Sequence, residues 1–199
     1  MSLSKGQRTK ENILVQALTL YSEKGAHNVP FQDIADKVGI TQAALYKYFK
    51  DRDDLLGAAI LLGAEKGREF FNATQPANSN AQESLVFNLS KNLEWCVKGS
   101  PFTYAFLSLH FYATQIPHIH KIRRDITKVR LKRLEDYLEQ GNNEKLWYVK
   151  DRKRTALVIN NLLLGEMMEI INAPKTESLK ERQHRVCENV LALIGAKPI

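Results

Sequence analysis

From Phe31 to Phe49 the chain reads FQDIADKVGITQAALYKYF, and the glycine inside this stretch constrains the fold more than any other position. Ile34, Ala35 and Val38 recur at helical spacing and face one way along a short helix. Gly39 then supplies the positive φ that ends such a helix abruptly, so the chain must turn there. Thr41 stands where the next helix needs its N-cap, and Leu45 and Phe49, four residues apart, give that helix a buried side. Gln42, Ala43, Ala44, Tyr46, Lys47 and Tyr48 are left facing outward. The set is small, polar, aromatic and basic, which suits a helix laid against base edges and phosphates. A plain helical hairpin in an all-α core is the commoner use of two short amphipathic helices. It would not cluster Tyr46, Lys47, Tyr48 and Lys50 beside a first turn of Gln-Ala-Ala, but periodicity alone leaves both readings open.

The register extends on both sides. Ile13, Leu14, Ala17, Leu20 and Tyr21 stripe a preceding helix that ends near Gly25, and Lys50 is followed by Asp53, Asp54, Leu55 and Leu56 at the opening of a fourth. On these residues, together with Ile34, Ala35, Val38, Gly39, Ile40, Thr41, Leu45, Tyr46 and Phe49, positions 8–60 resemble the DNA-binding domain of the tetracycline-repressor (TetR) family. The resemblance implies an all-α fold. An N-terminal three-helix helix-turn-helix head, residues 1–50, is joined by a fourth helix to a C-terminal helical ligand-binding and dimerisation domain, residues 51–199. The DNA-binding candidates are then Gln32, Thr41, Gln42, Ala43, Ala44, Tyr46, Lys47, Tyr48 and Lys50. The chain departs from the family at Val29 and Pro30, where Ser or Thr is usual. Pro30 suits a first helical turn but Val29 cannot cap, which leaves Gln32 as the DNA-facing side chain of that helix.

Charge is distributed against a simple nucleic-acid argument. The net charge is +7, yet residues 1–70 hold ten Lys and Arg against nine Asp and Glu, so the DNA reading rests on the motif. The excess sits in KIRRDITKVRLKR, Lys121 to Arg133, with seven basic residues and one acid. Ile122, Ile126, Val129, Leu134 and Leu138 run along the same helix as an apolar stripe, so the basic side chains are expected to cover its outer face; an acidic ligand group, an acidic partner or flanking DNA are the alternatives. An apolar fraction of 44% suffices for a buried core. No run approaches the roughly 18 apolar residues of a membrane span, and no apolar segment follows Met1, so a soluble cytoplasmic protein is expected. Cys96 and Cys187, 91 positions apart, show no pairing or ligand pattern and read as buried reduced thiols.

Lys5, Arg8 and Lys10 lie in a stretch without apolar periodicity, read as a flexible arm ahead of a helix from about Thr9 to Lys24 and able to reach a minor groove. A fourth helix from Asp51 to about Asn72 precedes the turn-rich NATQPANSN, residues 72–80. Further helices are expected over 82–98, 102–115 and 118–140, the last stopped by Gly141-Asn142-Asn143. Asp151 caps another, to about Asn172 and closed by Pro174, and Thr176 or Glu177 opens a final one to about Ile194. These last two carry more apolar surface than a monomer readily covers. Gly165 inside the first costs about 1 kcal/mol of helix propensity, which a close helix approach offsets. The resemblance implies that the pair forms a four-helix bundle with its copy in a homodimer, through Leu162, Gly165, Val190 and Ile194; a purely internal core is the alternative.

Nothing points to catalysis, a metal or a cofactor. His118 and His120 flank one isoleucine and diverge on a helix, so with His110 they make no metal site, and E-x-x-H occurs once, at Glu181 to His184, where a di-iron bundle needs two. There is no Gly-rich phosphate loop and no G-x-S-x-G. Aromatic residues crowd the segment from Trp95 to Tyr112, a pattern more often core than cavity. In the family, however, the second domain is hollow and binds a small effector. The resemblance thus makes Trp95, Phe102, Phe106, His110, Phe111, Glu166 and Met167 candidates for a hydrophobic or aromatic ligand. The expected function is a dimeric repressor released by that molecule from a palindromic double-stranded operator; a structural DNA-organising protein with the same head and no effector is the alternative.

Overall fold

A computed structural model describes residues 4–72, 79–172 and 177–198. Among them every regular element is a helix: α1 (Lys5–Lys24), a 3-10 turn (Ala26–Asn28), α2 (Phe31–Val38), α3 (Gln42–Leu45), α4 (Arg52–Asn72), α5 (Ala81–Lys98), α6 (Phe102–Tyr112), α7 (Pro117–Asn143), α8 (Arg152–Asn172) and α9 (Leu179–Ile194). The fold is all-α, with an N-terminal helix-turn-helix head and a C-terminal helical domain. The interior of the expected 72–80 connection, residues 73–78, lies outside the described residues, as do Pro174 and Thr176. No helix among the described residues is long and apolar enough to cross a membrane, and no group of three His, Cys, Asp or Glu is placed to hold a metal ion.

The chain forms two compact units, one of residues 1–68 with 99–123, the other of residues 69–98 with 124–199. In the first, α1 buries Ile13, Leu14, Ala17, Leu18 and Tyr21 against α2 and α6. The expected basic arm is absent from residue 4 onward. Ser4 Oγ accepts from the Gln7 N–H at 3.2 Å while Gln7 Oε1 accepts from the Ser4 N–H at 2.8 Å, a capping box that starts α1 at Lys5. The 3-10 turn is gripped from two sides: the Ala26 N–H donates to Tyr104 Oη at 3.2 Å, and the Arg52 guanidinium donates to the Ala26 carbonyl. His118 Nε2–H donates to the Asp53 carbonyl at 3.0 Å, tying the start of α7 to the start of α4.

In the second unit α5 packs on both α8 and α9. Leu85, Leu89 and Leu93 meet a core that includes Ala156, Ile159, Leu163, Val186 and Leu191. Helix α7 runs through the expected Gly141-Asn142-Asn143 stop. Gly141 is enclosed because the Trp147 indole lies on it, so closely that an added Cβ would stand 2.6 Å from Nε1 and nearer still to Cζ2 and Cε2. The chain reverses instead at Lys145, with φ +59°, and Asn142 clasps the returning strand of backbone, donating to the Val149 carbonyl at 2.9 Å and accepting its N–H at 2.8 Å. Asp151 caps α8 as expected, accepting the Arg154 N–H at 3.0 Å. Helix α9 opens at Leu179 under a Ser178–Glu181 capping box, two to three residues later than its sequence suggested. Cys96 and Cys187 are both buried free thiols, and burial pushes Cys96 up to about 12.

Candidate nucleic-acid interface

Helix α2 ends at Gly39, whose φ of 78° and ψ of 34° are left-handed, and the Ile40 N–H folds back onto the Ala35 carbonyl at 3.0 Å. Two residues later Thr41 is extended and its Oγ1 accepts from the Ala44 N–H at 3.1 Å, which starts α3. The α-helical part of α3 is one turn. Its path continues with tighter bonds, Lys47 N–H to the Ala44 carbonyl and Tyr48 N–H to the Leu45 carbonyl, and closes with Phe49 N–H to the Leu45 carbonyl at 3.2 Å. Leu45 and Phe49 are buried as their spacing requires. Thr41, Gln42, Ala43, Tyr46, Lys47 and Lys50 are exposed, and Ala44 and Tyr48 are half-buried.

Two neighbours orient this face. The Tyr46 ring, half exposed at 53%, rests against Phe31 of α2 with centroids 5.1 Å apart, so its hydroxyl is held on an outward-facing side chain. Lys50 is the last residue before the turn into α4, where its N–H donates to Asp54 Oδ2 at 2.9 Å. Pro30, not Val29, occupies the N-cap position of α2 and makes no side-chain cap, while Val29 is fully buried. Gln32 is exposed on the first turn of α2, its Nε2 donating to Asp36 Oδ1 at 2.6 Å. The structure thus brings all nine sequence-selected positions onto the α2–α3 motif. Chemically it offers two carboxamides, a hydroxyl, two ammonium groups and two phenols around two alanines, the groups that meet base edges, phosphates and thymine methyls.

The effector candidates are divided between units. Phe102, Phe106, His110 and Phe111 belong to the first, where His110 Nδ1–H donates to the Phe106 carbonyl at 2.9 Å and Phe111 is 58% exposed. Trp95, Glu166 and Met167 belong to the second. Trp95 packs on Phe70 at 5.3 Å and Met167 is core. Glu166 is engaged across helices. It is paired with Arg185 at 2.8 Å and Arg182 at 3.1 Å, and the Arg185 hydrogen bond holds its carboxyl below the usual range. The dimer candidates are divided too. Val190 and Ile194 are buried within their own unit, because Val186, Cys187, Val190, Leu191 and Ile194 form one stripe that the protomer itself covers. Gly165 is exposed and Leu162 half-buried; the apolar side chains left outward on these helices are Leu157 and Val158 of α8 and Leu193 of α9. Sequence reasoning missed a cavity in the second unit, lined in part by Arg133, the last residue of the basic run.

Residues 13–59 match the family described as bacterial regulatory proteins, tetR family. The chain is 41% identical over 49 residues to the HTH-type transcriptional regulator AcrR of Shigella flexneri, covering 25% of this chain and 23% of that protein. It is 24% identical over 139 residues to the HTH-type transcriptional regulator AqdR of Rhodococcus erythropolis, covering 70% and 64%. The matches therefore span less than two thirds of either relative. Among solved structures, a tetR-family bacterial regulatory protein of Rhodococcus RHA1 superposes with a TM-score of 0.79 at 18% identity, over 98% of this chain and 100% of that one. AibR, solved in complex with isovaleryl coenzyme A and operator DNA, superposes with a TM-score of 0.73 at 19% identity, over 95% and 100%.

Proposed function

We propose that this chain, which belongs through residues 13–59 to the tetR family of bacterial regulatory proteins, is a dimeric transcriptional repressor released from a near-palindromic operator by a small hydrophobic or aromatic molecule. One observation carries the reading: a Thr41-capped helix, anchored by Leu45 and Phe49, holds Gln42, Ala43, Tyr46 and Lys47 in solvent on a rigid turn. In the first turn the Gln42 carboxamide suits the N6 and N7 edge of adenine, and Ala43 or Ala44 leaves room for a thymine methyl. Tyr46 and Lys50 suit phosphates, and Lys47 either a guanine edge or a phosphate. Two heads in a dimer read half-sites roughly 34–36 Å apart, or a multiple of that spacing. The outward Leu157, Gly165 and Leu193 are the face on which the second copy packs. That AibR, of like fold, was solved with both an acyl coenzyme A and operator DNA supports a fold able to host both partners. Effector and DNA then oppose each other through a coupling of about 1–3 kcal/mol.

The test is enrichment of bound duplexes from a random library by the full-length protein, followed by titration at fixed salt. A near-palindromic sequence with an A·T step in each half-site is expected. Gln42→Ala should cost about 1–3 kcal/mol on that sequence and little on a scrambled one. Absence of any enriched sequence would sink the reading, and equal losses on both duplexes would show that Gln42 holds the backbone and reads no base.

A further inference from the structure

The cavity of about 170 Å³ inside the second unit is lined by Phe71 and Asn72 at the end of α4, Phe87 and Asn88 of α5, and Arg133 and Tyr137 of α7. Its polar lining is rich in donors. The Arg133 guanidinium is permanently charged, half-buried, and without a hydrogen bond or ion pair among the described residues. The Tyr137 hydroxyl is likewise without a hydrogen-bond partner among the described residues, and burial raises its pKa, so it stays a donor at neutral pH. Asn72 and Asn88 add two carboxamides. Asp136, one turn on along α7, is engaged by Lys132 at 2.7 Å on the exposed side of the helix and does not neutralise Arg133. The basic run is therefore two-sided: Lys121, Arg124, Lys128 and Lys132 are exposed, whereas Arg133 turns inward.

An unpaired guanidinium beside a phenol and two amides is a receptor for a carboxylate, which accepts two parallel bonds from an arginine fork. Phe71 and Phe87 supply the smaller, apolar part of a lining that is mostly polar. Size narrows the class further. An apolar cavity of about 150 Å³ takes one benzene ring, so the volume here matches one ring with a short acid arm.

We infer that this cavity is the effector site and that it takes a small monocyclic carboxylate, its ring against Phe71 and Phe87 and its acid group on Arg133. The inference rests on the reading of the second unit as the effector-binding part of a regulator. It refines the hydrophobic or aromatic ligand proposed above by giving it a negative charge.

The experiment is calorimetric titration of the full-length protein with benzoate, phenylacetate, benzamide and benzylamine. At least one of the two acids should bind, the neutral amide at least about tenfold more weakly, and the amine not measurably. Arg133→Gln should remove at least about tenfold of the acid's affinity and erase its advantage over the amide, with circular dichroism and melting unchanged. If that variant misfolds, Tyr137→Phe serves instead: a loss of a few-fold for the acid and none for the amide is expected. Equal binding of acid and amide, or no binding of either acid, overturns the inference. The enriched duplex separates the two proposals. An acid that binds through Arg133 without loosening DNA sinks the regulatory reading and leaves the site standing. Release of DNA by other compounds, with neither acid bound, sinks the site alone.

Discussion

Replacing Gly141 by alanine sets two physical effects against each other within α7. Helix propensity alone favours alanine by about 1 kcal/mol in a helix interior. Packing opposes it. The new methyl would stand 2.6 Å from Trp147 Nε1 and nearer to two ring carbons, where relaxed carbon contacts need about 3.5–4.0 Å. The indole must retreat by about 1.5 Å or more, and it has little freedom to do so. It is only 6% exposed, and its N–H donates to the Leu138 carbonyl at 3.1 Å. Overpacking of this kind costs about 1–3 kcal/mol, and loss of the buried hydrogen bond adds about 1–2. After the propensity gain, Gly141→Ala should destabilise the protein by about 1–4 kcal/mol. Urea unfolding followed by circular dichroism and tryptophan emission measures it. A double variant with Trp147→Leu provides the control, because without the ring the alanine should stabilise relative to Trp147→Leu alone. An alanine variant as stable as the parent would mean that Trp147 does not rest on Gly141.

Three further outcomes are expected. Tyr46→Phe and Lys50→Ala should weaken binding to every duplex without changing the preferred sequence, and Lys50→Ala should lower the slope of log affinity against log salt by about one; a changed sequence preference in enrichment would reverse these roles. Gly165→Glu should yield a folded monomer by light scattering, since the position is exposed in the protomer, whereas Val190→Glu should lose helicity because that side chain is fully buried; a stable Gly165→Glu dimer would place the interface elsewhere. Glu166 has its pKa lowered, chiefly by Arg185, so its contribution to stability is full above the unfolded value of about 4.3 and is lost as pH falls through the lower folded value. Glu166→Gln should therefore flatten that part of a melting-temperature profile below about pH 4, and an unchanged acid limb would show the pair to be inert.

What could be read from sequence was what local chemistry determines. Gly39, Thr41, Leu45 and Phe49 each act within a turn or two of their own position, and the structure has them in the expected places. Where tertiary contacts decide, the reading failed. Gly141 carries every mark of a helix stop, yet α7 continues to Asn143 and an indole six residues away lies on that glycine. The Val190 and Ile194 stripe looked like surplus apolar surface because nothing in the sequence reveals that α5 lies across it. Glu166 pointed to no particular neighbour until Arg182 and Arg185 of another helix were placed beside it. Two misses were legible in principle: Ser4 to Gln7 spells a capping box, and Ser178 to Glu181 spells another.

The grip on Ala26 has a consequence for how this head tolerates change. Tyr104 and Arg52 hold the peptide N–H and carbonyl of that residue, not its side chain. A substitution at position 26 keeps both backbone handles, although the alanine side chain itself is buried and leaves little room for a larger one. The dependence runs one way: only the holders, on α6 and α4, can be lost. The short link between α1 and α2 is thus held from afar as well as by its own buried Ala26 and Val29, and loss of the Tyr104 phenol would remove one of its two backbone holds.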